Sequence, residues 1–267
     1  SPSRGLGDVY KRQVYMRREV EIPVPVRKAT AFICGLGYYE LYINGRKVGD
    51  RVMDPLFTDY DKRVVYATYD VTDYFSTGSN AFGILLGNGW YSLPTRDVFG
   101  MHDANWHTPP KVRLNVVVEY ESGARDVIVT DRTWKWGHGE IVYNSVRSGE
   151  TIDHTKSVHG WNEPGFCDSL WRNVCHVPAP LGKLTADPMP PMRVVKELKP
   201  VGITETGPGV YLVDFGENLT GWVETRVRGS RGQTVELQFN EVLKADGSLD
   251  TQNSTWHTRG RYQTELL

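Results

Sequence analysis

Asn88, Trp90 and Tyr91 fall together in LLGNGWYSLP, where a strongly apolar run stops at a glycine-flanked turn. An amide beside two large aromatic rings is what sugar recognition uses: a flat apolar platform for one ring face, and planar polar groups for the hydroxyls. The Asp59–Tyr60–Asp61 loop adds carboxylate oxygens of the hard type that calcium prefers, with Asp61 as the candidate ligand. The same Trp90 and Tyr91 follow an apolar strand, and completing a core is the plainer use of both.

Catalytic chemistry is harder to find. Inverting cleavage of a glycosidic bond needs two carboxyls roughly 6.5–9.5 Å apart, one of them with a raised pKa. Among 32 acidic residues, Glu40, Asp59, Asp61, Asp97 and Asp103 stand near aromatics, each where a solvated turn or strand-edge carboxylate is the simpler reading. Asp214 and Glu217 in VDFGEN read as a turn that closes backbone donors, and Glu241 in FNEVL as an anchor for a neighbouring segment. His102, His107, His138, His154 and His159 form neither HxH nor HExxH, and no GxSxG elbow or P-loop occurs. No residue is assigned a catalytic role.

Positioning any such site falls to strands. GLGYYELYINGRKVGD (Gly35 to Asp50) alternates Tyr38, Glu40, Tyr42 against Tyr39, Leu41, Ile43, then reaches Asn44-Gly45, the pair that a two-residue hairpin turn demands. Further strands are expected over VYMRREVEIP, RKATAFIC, Val64 to Tyr69 within FTDYDKRVVYATYDVT, AFGILLGNGWY (apolar on both faces and ending at Asn88-Gly89), KVRLNVVVEY and RDVIVT. Residues 92–110 make a long loop carrying Trp106 and His107, and loops of that length are often functional. Trp134 and Trp136 alternate on one strand face, set to pack between sandwich and connector. Trp161, Trp171 and Trp222 have the look of domain-packing anchors.

A first domain is expected over 14–178. Six prolines from Pro178 to Pro200 then mark an extended connector at 179–200 with one strand-like insertion, RVVKEL. VYLVDFGENLTGWVETRVRG and QTVELQFNEVL open a second β domain at 201–267, cut before it closes. The fold class is therefore all-β: two antiparallel, jelly-roll-like sandwiches, the second truncated. The first thirteen residues, SPSRGLGDVYKRQ, have no hydrophobic period and resemble translated adapter sequence, so they are expected to be non-native.

Composition narrows the partners. Lys plus Arg (31) nearly balances Asp plus Glu (32), which leaves no basic field for nucleic acid. No apolar run approaches a membrane span. Three cysteines without CxxC spacing indicate neither zinc nor a disulfide framework, and Cys34 in AFIC reads as a buried small hydrophobe.

GLGYYELYINGRKVGD, DPLFTDYDKRVVYATYDVT, LLGNGWY and GETIDHTKSVHGWNEPGFCDSLW together resemble the N-terminal β-sandwich domain of bacterial α-L-rhamnosidases of glycoside hydrolase family 78. The stretch VYLVDFGENLTGWVETRVRG…GQTVELQFNEVLKADGSLDT looks like the concanavalin-like domain that follows it. The resemblance implies enzymes that hydrolyse terminal α-L-rhamnosyl linkages with inversion, using acidic residues of an (α/α) barrel that these residues do not include. It implies the downstream barrel and a rhamnose-containing glycoside as partners. It also implies that homologous domains bind rhamnose with the help of calcium, which makes Asn88, Trp90 and Asp61 the residues to watch. A rhamnose-binding module and a ligand-free structural sandwich are the alternatives.

Overall fold

The computed structural model describes residues 12–95, 99–252 and 262–267. Seventeen strands run in chain order through them. The first eight are β1 (Val14–Ile22), β2 (Val26–Leu36), β3 (Tyr39–Ile43), β4 (Arg46–Lys47), β5 (Arg63–Asp70), β6 (Gly78–Leu86), β7 (Lys111–Tyr120) and β8 (Arg125–Val129). Then come β9 (Lys135–His138), β10 (Ile141–Ser145), β11 (Gly149–Asp153), β12 (Arg172–Asn173) and β13 (Lys183–Ala186). The last four are β14 (Gly202–Gly207), β15 (Val210–Asp214), β16 (Thr234–Leu237) and β17 (Gln263–Leu266).

A six-stranded sheet, β12-β9-β1-β6-β3-β4, faces a five-stranded one, β13-β5-β2-β7-β8. Strand β2 shows how sequence builds the layer between them. Ala29, Ala31 and Ile33 are buried in the main core, while the alternate Cys34 and Leu36 join a second cluster with Tyr60, Val64 and Tyr91. Leu41, Phe82, Ile84, Leu114, Val116 and Trp134 complete the main core. The hairpin turn holds as expected: Asn44 and Gly45 have φ of 51° and 76°, and Asn44 also bonds Asn80 and the Tyr74 carbonyl. All pairings are antiparallel except β13 on β5 and β17 on β11.

The turn-rich segment after His159 clamps the outside of the six-stranded sheet. Trp161 lies over Gly83, where an added Cβ would come within 2.8 Å of the indole, and Trp171 lies over Gly137 at 2.7 Å. Arg17, itself 2% exposed, holds this segment from below. Its guanidinium pairs with Asp168 and with Glu19, and donates to the Trp161 and Glu163 carbonyls. Lys135 bonds the same Asp168 at 2.7 Å. Burial pushes the Asp168 carboxyl up, but Lys135 and Arg17 together hold it below the usual carboxylate range.

Several expectations are corrected. The connector's strand is Lys183–Ala186, not RVVKEL, whose Val194 and Val195 are exposed. Trp134 does not bridge to the connector: it is fully buried inside the first core beside Phe82, its indole N–H on the Val129 carbonyl. Trp222 is exposed, and no strand forms over 217–230. Just before the expected first unit, Gln13 N–H donates to the Ile141 carbonyl and its own carbonyl meets His138 Nδ1. Among the described residues after 200 there are a β14–β15 hairpin and a β16–β17 pair, the latter extending a sheet in the order β10-β11-β17-β16. No helix among the described residues is long and apolar enough to cross a membrane.

Candidate functional site

Strand β6 ends at Leu86, and the next four residues turn sharply. Gly87 donates to the Tyr38 carbonyl, and Ser92 N–H closes the turn on the Asn88 carbonyl. Gly89 sits at φ 53° against the Gly37–Tyr38 backbone, an approach that a side chain would block. Asn88 is 1% exposed and locked to the β10–β11 hairpin: its N–H donates to Asn144 Oδ1 at 2.9 Å, its side-chain amide to the Asn144 carbonyl at 3.0 Å.

Trp90 projects from this turn, half-buried, with Phe57 edge-on at 6.4 Å and the Arg147 guanidinium 5.1 Å above its ring. Behind it Tyr91 is buried and stacked on Trp106, with Tyr60 edge-on and the Tyr91 hydroxyl on Thr108. Phe57 touches Tyr60 and Trp106 as well. His107 staples the long loop to the Leu93 carbonyl. The result is a partly exposed aromatic surface of Phe57, Trp90 and Trp106 over a buried tyrosine layer.

Polar atoms lie at its foot. Asn88 Oδ1, Asn144 Nδ2 and Ser148 Oγ are enclosed and have no partner among the described residues. Buried polar atoms normally find one, and these three stand out among the described residues for that reason. Asn144, Arg147 and Ser148 went unread in the sequence because NSVRS carries no motif and lies 56 residues from Asn88. The only signal was an unusually polar strand end.

The structure brings Asn88 and Trp90 into one turn. Asp61 stays exposed at a loop tip, and no hydrogen bond or ion pair among the described residues joins it to either. Asp59 is engaged by Lys62 at 2.9 Å and by the Asp61 N–H. Among the described residues no three His, Cys, Asp or Glu side chains come together around a common point.

The carboxylates near aromatics are spoken for or solvated. Glu40 pairs with Lys47 and accepts from Tyr42; Asp103 meets His102 in solvent; Asp97 lies outside the described residues. Asp214 accepts from Gly216 N–H at 2.7 Å, the turn expected, and Glu217 pairs with Lys196. Glu241 faces solvent and anchors nothing among the described residues. Burial, with Glu265 and Glu40 nearby, pushes Glu150 up to about 7, but it sits in a strand seam between Gln13 and Gln263. Cys34 is buried and its thiol is pushed up to about 11, which makes it inert.

Residues 24–196 match the family described as the α-L-rhamnosidase N-terminal domain, and residues 204–265 the bacterial α-L-rhamnosidase concanavalin-like domain. An α-L-rhamnosidase of Streptomyces avermitilis is 38% identical over 240 residues, 89% of this chain and 23% of that protein. One from Formosa agariphila is 33% identical over 238 residues, 87% of this chain and 25% of the relative. Among solved structures, the Streptomyces avermitilis α-L-rhamnosidase complexed with L-rhamnose superposes with a TM-score of 0.90 at 36% identity, covering 96% of this chain and 25% of that one. The Dictyoglumus thermophilum enzyme gives 0.88 at 37% identity, over 96% and 28%. The chain thus spans about a quarter of the length of these relatives.

Proposed function

From the premise that this chain belongs to the bacterial α-L-rhamnosidase family, we propose that it is the non-catalytic front part of an enzyme removing terminal α-L-rhamnosyl residues with inversion. The catalytic (α/α) barrel is then supplied by sequence outside these 267 residues. We propose units at 14–178, 179–200 and 201–267. The observation that carries this reading is the succession of two rhamnosidase domain matches within a quarter of each relative's length. The purified chain should release no nitrophenolate from 4-nitrophenyl α-L-rhamnoside, and steady turnover would overturn the proposal.

A second reading is favoured by the turn at Asn88. There the partly exposed aromatic surface of Phe57, Trp90 and Trp106, with the Arg147 guanidinium over the Trp90 ring, offers a platform and a hydrogen-bond donor for a rhamnoside. A solved relative holding L-rhamnose lends it support. Calorimetric titration with L-rhamnose should give heat that Trp90→Ala abolishes, with or without calcium. No heat from the unaltered chain rejects this reading and leaves the first standing.

A further inference from the structure

We propose that the Pro-rich stretch from Pro178 to Arg193 is a strap folded down on the edge of the five-stranded sheet, locked by Arg51 between Asp54 and Asp187, and that it opens as one piece. Its prolines at 178, 180, 188, 190 and 191 fix φ and remove amide donors, so docking orders little free chain and gains few backbone bonds. Those bonds are specific. Lys111 Nζ donates to the Pro178 carbonyl at 2.8 Å, and β13 lies parallel on β5 from Lys183 against Arg63 to Ala186 against Tyr66. Gly182, Lys183 and Asp187 N–H donate to the Tyr60, Lys62 and Tyr66 carbonyls, and Val52 N–H donates back to Met192 at 3.0 Å. The match to the rhamnosidase N-terminal domain runs to residue 196, so the strap rides on the first sandwich in that family as well.

The lock is a buried charge cluster. The Arg51 guanidinium lies 5.3 Å over the Tyr69 ring, its Nη1 3.7 Å from Asp54 Oδ1 and 3.6 Å from Asp187 Oδ2. The two carboxylate side chains are 5% and 4% exposed. Asp54 belongs to the sandwich, where its Oδ2 accepts from the Tyr39 hydroxyl at 2.5 Å and the Tyr69 hydroxyl at 3.3 Å. Asp187 belongs to the strap, its Oδ1 on the Met189 N–H at 3.0 Å. A carboxylate is buried at this depth only with a cation beside it, so docking depends on Arg51. Past Arg193, whose Nε meets Asp50 at 2.8 Å in solvent, no hydrogen bond or ion pair among the described residues ties the connector to the sandwich. Val194 and Val195 are exposed there, and Lys196 turns to Glu217 at 2.9 Å.

The strap covers two things. It pairs the outer edge of β5, which otherwise presents free N–H and C=O groups to any other strand. Through Leu184 it also walls a groove of about 80 Å³ that Phe32, Cys34, Tyr66 and Arg113 line from the sheet. Cys34 is 8% exposed in this arrangement, whereas Cys167 and Cys175 are open to solvent. Lifting the strap bares Cys34, which makes that thiol a reporter of the opening and Cys167 its reference.

Labelling of the whole chain with N-ethylmaleimide, read peptide by peptide by mass spectrometry, tests this. Cys34 should label at least about tenfold more slowly than Cys167. Gly182→Ala brings a Cβ within 2.3 Å of the Tyr60 carbonyl oxygen, and Arg51→Met leaves both carboxylates without their cation. Each should speed Cys34 at least about tenfold, while Cys167 labelling and exchange of the Ile33 and Leu114 amides stay unchanged. Should either variant not fold, amide exchange on the unaltered chain decides. The Gly182, Lys183, Asp187 and Val52 amides, corrected for intrinsic rates, should then share one protection to within about tenfold, since a single opening frees all four. A wider spread overturns the strap, as does a Cys34 that falls short of either margin or speeds up only together with Ile33 and Leu114 exchange.

Discussion

In the first sandwich Ile33, Leu41, Phe82 and Leu114 are at most 1% exposed, whereas Val201, Ile203, Tyr211 and Trp222 stand 57–71% exposed in the region that follows. Both regions alternate apolar and polar residues in the same period of two. The pattern specifies a strand with one apolar face, but not what covers that face. In the first sandwich a second sheet, which takes in β13 as well, covers it. In β14–β15 no other described strand joins the two-stranded sheet, and an isolated hairpin is marginal in water. Local sequence thus makes strands in both places, and only long-range pairing makes a core.

Substitutions that treat the two regions alike in chemistry should separate them in energy. Trp134→Ala removes a fully buried indole and should cost about 3–5 kcal/mol in denaturant unfolding, while Trp222→Ala changes stability by less than about 0.5 kcal/mol. Comparable losses from the two would erase the distinction. Next in size, Arg17→Met leaves Asp168 facing Lys135 alone and strips two carbonyls of their donor. A loss of about 3 kcal/mol is expected, with the 159–171 segment becoming protease-sensitive.

Gly83→Val sharpens the same point more gently. The new side chain displaces Trp161 from its seat, for about 1–3 kcal/mol by thermal melting, whereas Gly202→Val in the open hairpin meets nothing within 4 Å and should be near neutral. The smallest effect is electrostatic. Net stabilisation of the Asp168 carboxylate by Lys135 and Arg17 is present above the ordinary carboxylate pKa and lost as pH falls through its lowered one. Asp168→Asn should therefore lower Tm at neutral pH and flatten its decline as pH falls through and below the ordinary carboxylate range.

What sequence reveals follows the same division. The Asn44-Gly45 hairpin, the ESGA turn and the alternation of β2 and β7 are local, and they stand where the residues put them. Pairings that join distant residues have no local signal. Arg17 meets Asp168 across 151 positions, and Asn88 meets Asn144 across 56. RVVKEL looks more strand-like than KLTA, yet KLTA pairs with β5. Gly182 precedes it, and only a glycine lets the chain come so close to the Tyr60 carbonyl that it bonds. At the candidate site the aromatic half, Trp90 and Tyr91, was legible. The polar half, Asn144 and Ser148, arrives from another hairpin and was not.

The contrast between a closed sandwich and an uncovered β region is tested most directly by limited trypsinolysis of the intact chain, followed by mass spectrometry. Early cuts should fall after Arg226, Arg228, Arg231 and Lys244, while the strands from Val14 to Val129, rich in arginine and lysine themselves, stay whole. Cleavage within β2 or β7 as fast as after Arg228 would contradict it.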